Sequence, residues 1–239
     1  MKYEGRAERL ASLQPGNHKM SLAPYILAAL FAAILYWMYR SHHLKTMAGR
    51  SRLFDECLPL LQNPALTHSE AGYAQLEGTY EGYRIRLALE EDHLTMRKIP
   101  SLWLHLLVES TGVSTNGTLG MLVRPQNTEF YSPLWNWDGA VVPLAGWPKH
   151  ALYRTQDTPP DLQLIDTHVQ KLFSDEKAKE LLLMPRAVRL TYQAKQADRG
   201  EYLLLRAADF NHEPLSSATV LDLLQRGIGI RRDMEGAIA

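Results

Sequence analysis

The sequence predicts an α+β protein: one N-terminal transmembrane helix, followed by a soluble domain of antiparallel sheet with flanking helices. Three observations carry that prediction. Met20 to Tyr39 run without a charge between Lys19 and Arg40. The chain from about residue 76 to 124 takes up the two-residue rhythm of strands on short connections, and later segments return to the helical period.

The uncharged stretch comes first. At about 1.5 Å of rise per residue, a helix over residues 20–39 matches a hydrocarbon core of roughly 30 Å. Pro24 sits in its first turn, and Tyr25, Tyr36, Trp37 and Tyr39 gather near its ends like an interfacial aromatic belt. Its exit, Tyr36-Trp37-Met38-Tyr39-Arg40, lacks the small residues of a signal-peptide cleavage site, so it reads as an uncleaved anchor.

Orientation rests on the flanks. Lys2, Arg6, Arg9 and Lys19 before the span match Arg40, Lys45, Arg50 and Arg52 after it. The exit side is free of acids and adds His42 and His43, whereas Glu4 and Glu8 dilute the tail. The expectation is a single-pass protein of a bacterial inner membrane with its C-terminal domain on the cytoplasmic side.

This organisation divides the chain into a polar tail (1–19), the span (20–39), a basic juxtamembrane collar (40–52) and a soluble domain (53–239). Lysine plus arginine equals aspartate plus glutamate at 26 each, so no global field draws the chain to nucleic acid. Cys57 is the only cysteine, which excludes an intramolecular disulfide and a thiolate metal site within one chain.

Within the domain, Leu53, Phe54, Cys57, Leu58 and Leu61 recur at helical spacing, and Asn63-Pro64 ends that helix. Cys57 lies on its apolar face as a packed thiol. Leu76 to Tyr80 and Tyr83 to Glu90 form a hairpin about Glu81-Gly82. Leu102 to Glu109 and Leu119 to Arg124 add two strands. From 125 to 150, prolines and glycines break every period around Trp135, Trp137 and Trp147, as in a functional or separately packed loop.

A helix capped by Thr158 follows, burying Leu162, Ile165, Val169, Leu172 and Phe173. Glu180 to Met184, Ala187 to Gln193 and Glu201 to Ala207 read as strands. A last helix from about Ser217 to Arg226 or beyond turns Val220, Leu221, Leu224 and Ile228 inward. Both halves of the domain, about 53–125 and 150–239, hold a strand–turn–strand unit, which hints at duplication.

Catalytic motifs fail one by one. Gly112 to Gly117 would need glycine at Asn116 to form a nucleophile elbow. His212-Glu213 would need histidine at Ser216 to bind zinc, and Gly227-Ile228-Gly229 lacks the strand and third glycine of a dinucleotide site. His42 and His43 diverge on a helix. No cofactor or metal is therefore expected. Asn116-Gly117-Thr118 fits a glycosylation sequon.

Aromatic residues with polar neighbours point instead to a binding surface for a partner protein: Trp135, Trp137 and Asp138 in the loop, and Arg97, Lys98 and Trp103 beside a strand. Arg40, Lys45, Arg50 and Arg52 form the candidate contact to anionic lipid headgroups. The functional expectation is an accessory or assembly subunit of a membrane protein complex. A membrane-surface module for lipid or a small ligand is the alternative. A tethered hydrolase would need a site joining two of His105, His150 and His168 with a carboxylate.

Overall fold

The computed structural model describes residues 22–92, 99–111, 117–125, 130–205, 208 and 210–237. The chain divides into two compact units after Leu44. Helix α1, Ala23–Ser51, carries the apolar stretch, and its residues from Lys45 onward belong to the second unit. It is long and apolar enough to cross a membrane, and none of its residues is buried.

The second unit is α+β. Its described residues form nine strands: β1 (Gln62–His68), β2 (Ala74–Tyr80), β3 (Tyr83–Glu91), β4 (Ser101–Glu109), β5 (Leu119–Val123), β6 (Gly139–Ala140), β7 (Ala151–Thr155), β8 (Ala178–Met184) and β9 (Ala187–Gln196). They form one sheet in the order β1-β2-β3-β4-β9-β8-β5-β7-β6, every pair antiparallel. Strands of the two sequence halves share this sheet, and β5 of the first half lies between β8 and β7 of the second.

Alternation decides which side chains meet. On one face, here the front, Ile85, Leu87, Leu104, Leu106, Val108, Val188, Leu190, Leu181 and Leu183 are buried against two helices. Helix α2 (Leu162–Phe173) brings Ile165, Val169 and Leu172, and helix α4 (Ser217–Gly236) brings Val220, Leu224 and Ile228. Glycine lets α4 approach closely: a Cβ on Gly227 would lie 3.0 Å from Val108 Cγ2. Full burial of one such aliphatic side chain contributes about 1.5–3 kcal/mol, so this face carries most of the apolar stabilisation.

Several local expectations are corrected. Residues after Ser51 form a turn and a 3-10 helix, Asp55–Leu60, because Pro59 removes an amide that an α-helix needs. Of the side chains expected inside, Leu53, Phe54, Cys57 and Leu61 are nevertheless buried, and Leu58 is half-buried. The helical segment ends at Leu60, before Asn63-Pro64, which lies inside β1 at a register shift where Asn63 has φ 50°. Proline is tolerated there because β1 is an edge strand. Helix α2 takes its cap from Asp161, which accepts from the Gln163 amide at 3.0 Å, and not from Thr158.

The segment read as a strand from Glu201 is helix α3, Arg199–Leu205. Asp198 caps it, accepting from the Glu201 amide at 2.8 Å. Asp198 and Glu201 have the spacing of a capping box, a local signal that outweighs the apolar run. Helix α4 ends at Gly236; Leu223, Ile230, Arg231 and Met234 are also buried in it, whereas Leu221, expected inside, is only half-buried. The Glu81-Gly82 turn is as expected, with φ of 49° and 83° suited to a tight hairpin.

Candidate functional site

The back of the sheet is built differently. A second core of Trp103, Leu122, Phe130, Leu134, Trp137 and Leu182 lies there, beneath the residues that follow Phe130. These form a 3-10 turn, Pro133–Asn136, whose Leu134 rests on Gly120 of β5. A side chain at Gly120 would collide with Leu134 and come within 3.0 Å of the Trp137 ring. The loop and the strand are thus complementary in shape.

The loop's three tryptophans separate. Trp137 enters the back core at 7% exposure. Trp147 enters the front core and donates through Nε1 to Asp166 Oδ1 at 2.7 Å. Trp135 faces outward at 49% exposure, near Tyr131 at 66%. Asn136 Nδ2 donates to Tyr131 Oη at 3.1 Å, and Asp138 is exposed. Of the expected partner contacts, Trp137 and Trp103 are buried and offer no surface, whereas Trp135 and Asp138 do. Arg97 and Lys98 lie outside the described residues.

A buried polar network ties the loop down. Glu180 on β8 is fully buried and accepts from Ser132 Oγ, from Arg189 at 2.6 Å and from Thr191 Oγ1 at 3.2 Å. Ser132 also accepts from the Leu134 amide at 3.2 Å, starting the 3-10 turn. His105 bridges Thr191 Oγ1 at 3.1 Å and Glu90 at 3.0 Å. Such partners offset the loss of water that burial of a carboxyl group entails.

The register shift between Ala178 and Glu180 places Lys179 at a bulge in β8. It is 2% exposed, donates to the Arg124 carbonyl at 3.1 Å and stands 6.0 Å from the Trp103 ring centre. Burial, helped by the positive charge of Arg124, lowers its pKa to about 8, against the pull of Asp92 and Glu180. The Trp103 indole N–H finds no acceptor among the described residues.

This network holds better than it reacts. Glu180 has both oxygens engaged, and Thr191 is buried while donating to it. The other histidines lie elsewhere: His168 pairs with Asp233 at 2.7 Å, and His150 lines a hollow with Arg124 and Asp175. Cys57 is buried and donates toward the Leu215 carbonyl at 3.6 Å, and burial followed by the charge of Glu56 pushes its thiol up to about 12. It is a packed thiol. Among the described residues, no group of three or more His, Cys, Asp and Glu side chains is arranged to hold a metal ion.

The basic collar is also divided. Arg40 and Lys45 are exposed, and Arg52 is 74% exposed while pairing with Asp55 at 3.2 Å. Arg50 is built into the domain instead. It donates to the Ala71 carbonyl at 2.8 Å, pairs with Glu91 at 3.4 Å and lies 4.4 Å above the Tyr73 ring centre. Its spacing from the span suggested a lipid contact, but tertiary partners on β3 and the turn before β2 claim it. No protein-family model and no curated protein matches this chain.

Proposed function

We propose that the protein is a single-span, membrane-anchored interaction protein, an accessory or assembly subunit of a membrane protein complex. The observation that carries this reading is the uncovered apolar surface of α1. Leu27, Leu30, Phe31 and Leu35 are 58, 57, 60 and 60% exposed. Leaving such side chains in water forfeits about 1.5–3 kcal/mol each, and a bilayer removes that cost.

Retention of the helix is supported at its other end. Gly49, Arg50 and the following Leu53 make tertiary contacts within the domain, so the sequence just beyond the apolar stretch is part of the fold. The partner contact we assign to Trp135, Tyr131 and Asp138. Exposed aromatic side chains held by a rigid base are favoured anchors in protein interfaces. The placement of the domain on the cytoplasmic side of a bacterial inner membrane belongs to this proposal and rests on the acid-free flank after the span.

The test is purification of the tagged full-length chain from membranes in mild detergent. A membrane protein should co-purify in stoichiometric amount, and Trp135→Ala with Tyr131→Ala should reduce its recovery about tenfold or more, as expected for an interface anchor. Purification of a lone chain, or recovery unchanged by both substitutions, would refute the proposal.

A further inference from the structure

The domain contains a hollow of about 370 Å³ that the polar network does not use. Its floor is apolar, with Leu104, Leu215 and Val220, and its rim is polar. We propose that this hollow binds the phosphodiester headgroup of an anionic membrane glycerophospholipid, with Lys177, Ser216 and Thr219 as donors and Lys195 as a fixed positive charge. The inference rests on the membrane-anchored reading and deepens it.

The segment from Asn211 to Ser216 forms one wall of the hollow and packs on the root of α1 within the same unit. A Cβ on Gly49 would lie 2.5 Å from His212 Cγ, and the Leu215 amide donates to the Leu53 carbonyl at 2.8 Å. Gly49 is ten residues beyond Tyr39, the last residue of the uncharged stretch. The wall is therefore tethered to the uncharged stretch by ten residues of chain, which reach about 35 Å at most.

The lining carries two ammonium groups, Lys177 and Lys195, and one carboxylate, Glu213. The net single positive charge complements the single negative charge of a phosphodiester. Lys195 is held in place by Asn211 Oδ1 at 2.5 Å, the Asn211 carbonyl at 2.7 Å and the Glu213 carbonyl. The Glu213 carboxylate is engaged by Asn211 Nδ2 at 2.9 Å. Lys177 is exposed at the rim, and the Ser216 hydroxyl makes no capping bond to α4.

Helix α3 starts three residues after Gln196, itself part of the lining, and presents Leu203 and Leu204 at 58 and 84% exposure. Two neighbouring leucines this exposed suit contact with the acyl region of a lipid layer, where an aqueous surface would favour polar residues.

The experiment uses the purified full-length protein in detergent, with lipid retention read by native mass spectrometry. Phosphatidylglycerol, phosphatidylcholine, glycerol phosphate and inorganic phosphate are supplied separately. Phosphatidylglycerol should be retained over phosphatidylcholine. Lys177→Glu should weaken its retention about tenfold, as expected when a cation near an anionic headgroup is reversed, with thermal unfolding unchanged. Leu203→Ser with Leu204→Ser should weaken it independently.

Equal retention of both lipids, or no effect of Lys177→Glu, would overturn the proposal. Lys177-dependent binding of inorganic or glycerol phosphate without lipid retention would assign the site to a soluble phosphate and overturn its lipid source. Attachment of the same chain to alkaline-washed membranes is read in parallel. Intact attachment with no headgroup preference counts against the hollow alone, whereas loss of attachment counts against the anchor.

Discussion

The two faces of the sheet are covered by different means. On the front, α2 and α4 lay aliphatic side chains against the strands at helical spacing, and apolar burial dominates. On the back, an irregular turn places Phe130, Leu134 and Trp137 on the strands, and Glu180 fastens it through Ser132. Apolar burial is non-directional, whereas hydrogen bonds to a buried carboxylate specify one arrangement. The difference locates specificity. The front stabilises the domain, and the back fixes where the loop sits and hence where Trp135 emerges.

The largest expected effects come from breaking either cover. Trp137→Ala should destabilise the domain by about 3–5 kcal/mol, and Ile228→Ala by about 2–5 kcal/mol, measured by denaturant unfolding. Only the first should also lower partner recovery when measured under conditions where both variants are folded. Equal recovery for the two would remove the functional distinction between the faces.

Glu180→Gln sharpens the comparison. It removes the charge that Arg189 and Ser132 bond, and a loss of about 1.5–3 kcal/mol is expected for such charge-assisted bonds. Hydrogen exchange should increase in the turn over 133–136 while α4 remains protected. A uniform increase across both would mean that the network serves the whole core and not the loop.

Lys179 gives a pH signature. Its pKa is about 8 in the folded chain and about 10.4 when unfolded. The unfolded chain therefore binds the proton more tightly, and stability from this group rises as pH increases from about 8 to 10.4. Cys57, Tyr153 and Tyr192, each pushed up to about 12, act in the opposite direction. The comparison is therefore with Lys179→Met: the stability of the native sequence relative to this variant should climb through that window. A pH-independent difference would contradict the assignment.

The smallest stability effect is expected at Trp135. Trp135→Ala should change the unfolding free energy by no more than about 0.5 kcal/mol, as is usual for exposed positions. A large loss would make it part of the back core.

Much of this arrangement was legible in the sequence because the front face obeys simple periods. The alternation from Tyr83 to Glu90 and the spacing of Ile165, Val169 and Leu172 each specify a buried side. Strand β1 escaped because all seven of its residues are exposed, leaving no apolar rhythm to read. Strand β7 was hidden within the region broken by Pro148, Pro159 and Pro160. Helix α3 was misread because three consecutive leucines resemble a buried strand, although Asp198 and Glu201 signalled a helix start.

The candidate site was less legible. Trp135 and Trp137 are two residues apart with similar neighbours, and only the fit of Trp137 over Gly120 separates their fates. Glu180 and Lys179 gave no signal, because their partners come from distant positions: Ser132, Arg189, Thr191 and Arg124. Burial of two charged side chains inside an apolar strand is visible only once the strands are paired.

The most direct test of the account is the fate of the full-length chain in washed membranes, beside a version lacking residues 1–40. We predict that the full-length chain stays in the membrane after alkaline extraction at its intact mass, together with its partner protein, while the shortened chain is released. Release of the full-length chain, or its recovery shortened by cleavage after the apolar stretch, would contradict the central claim.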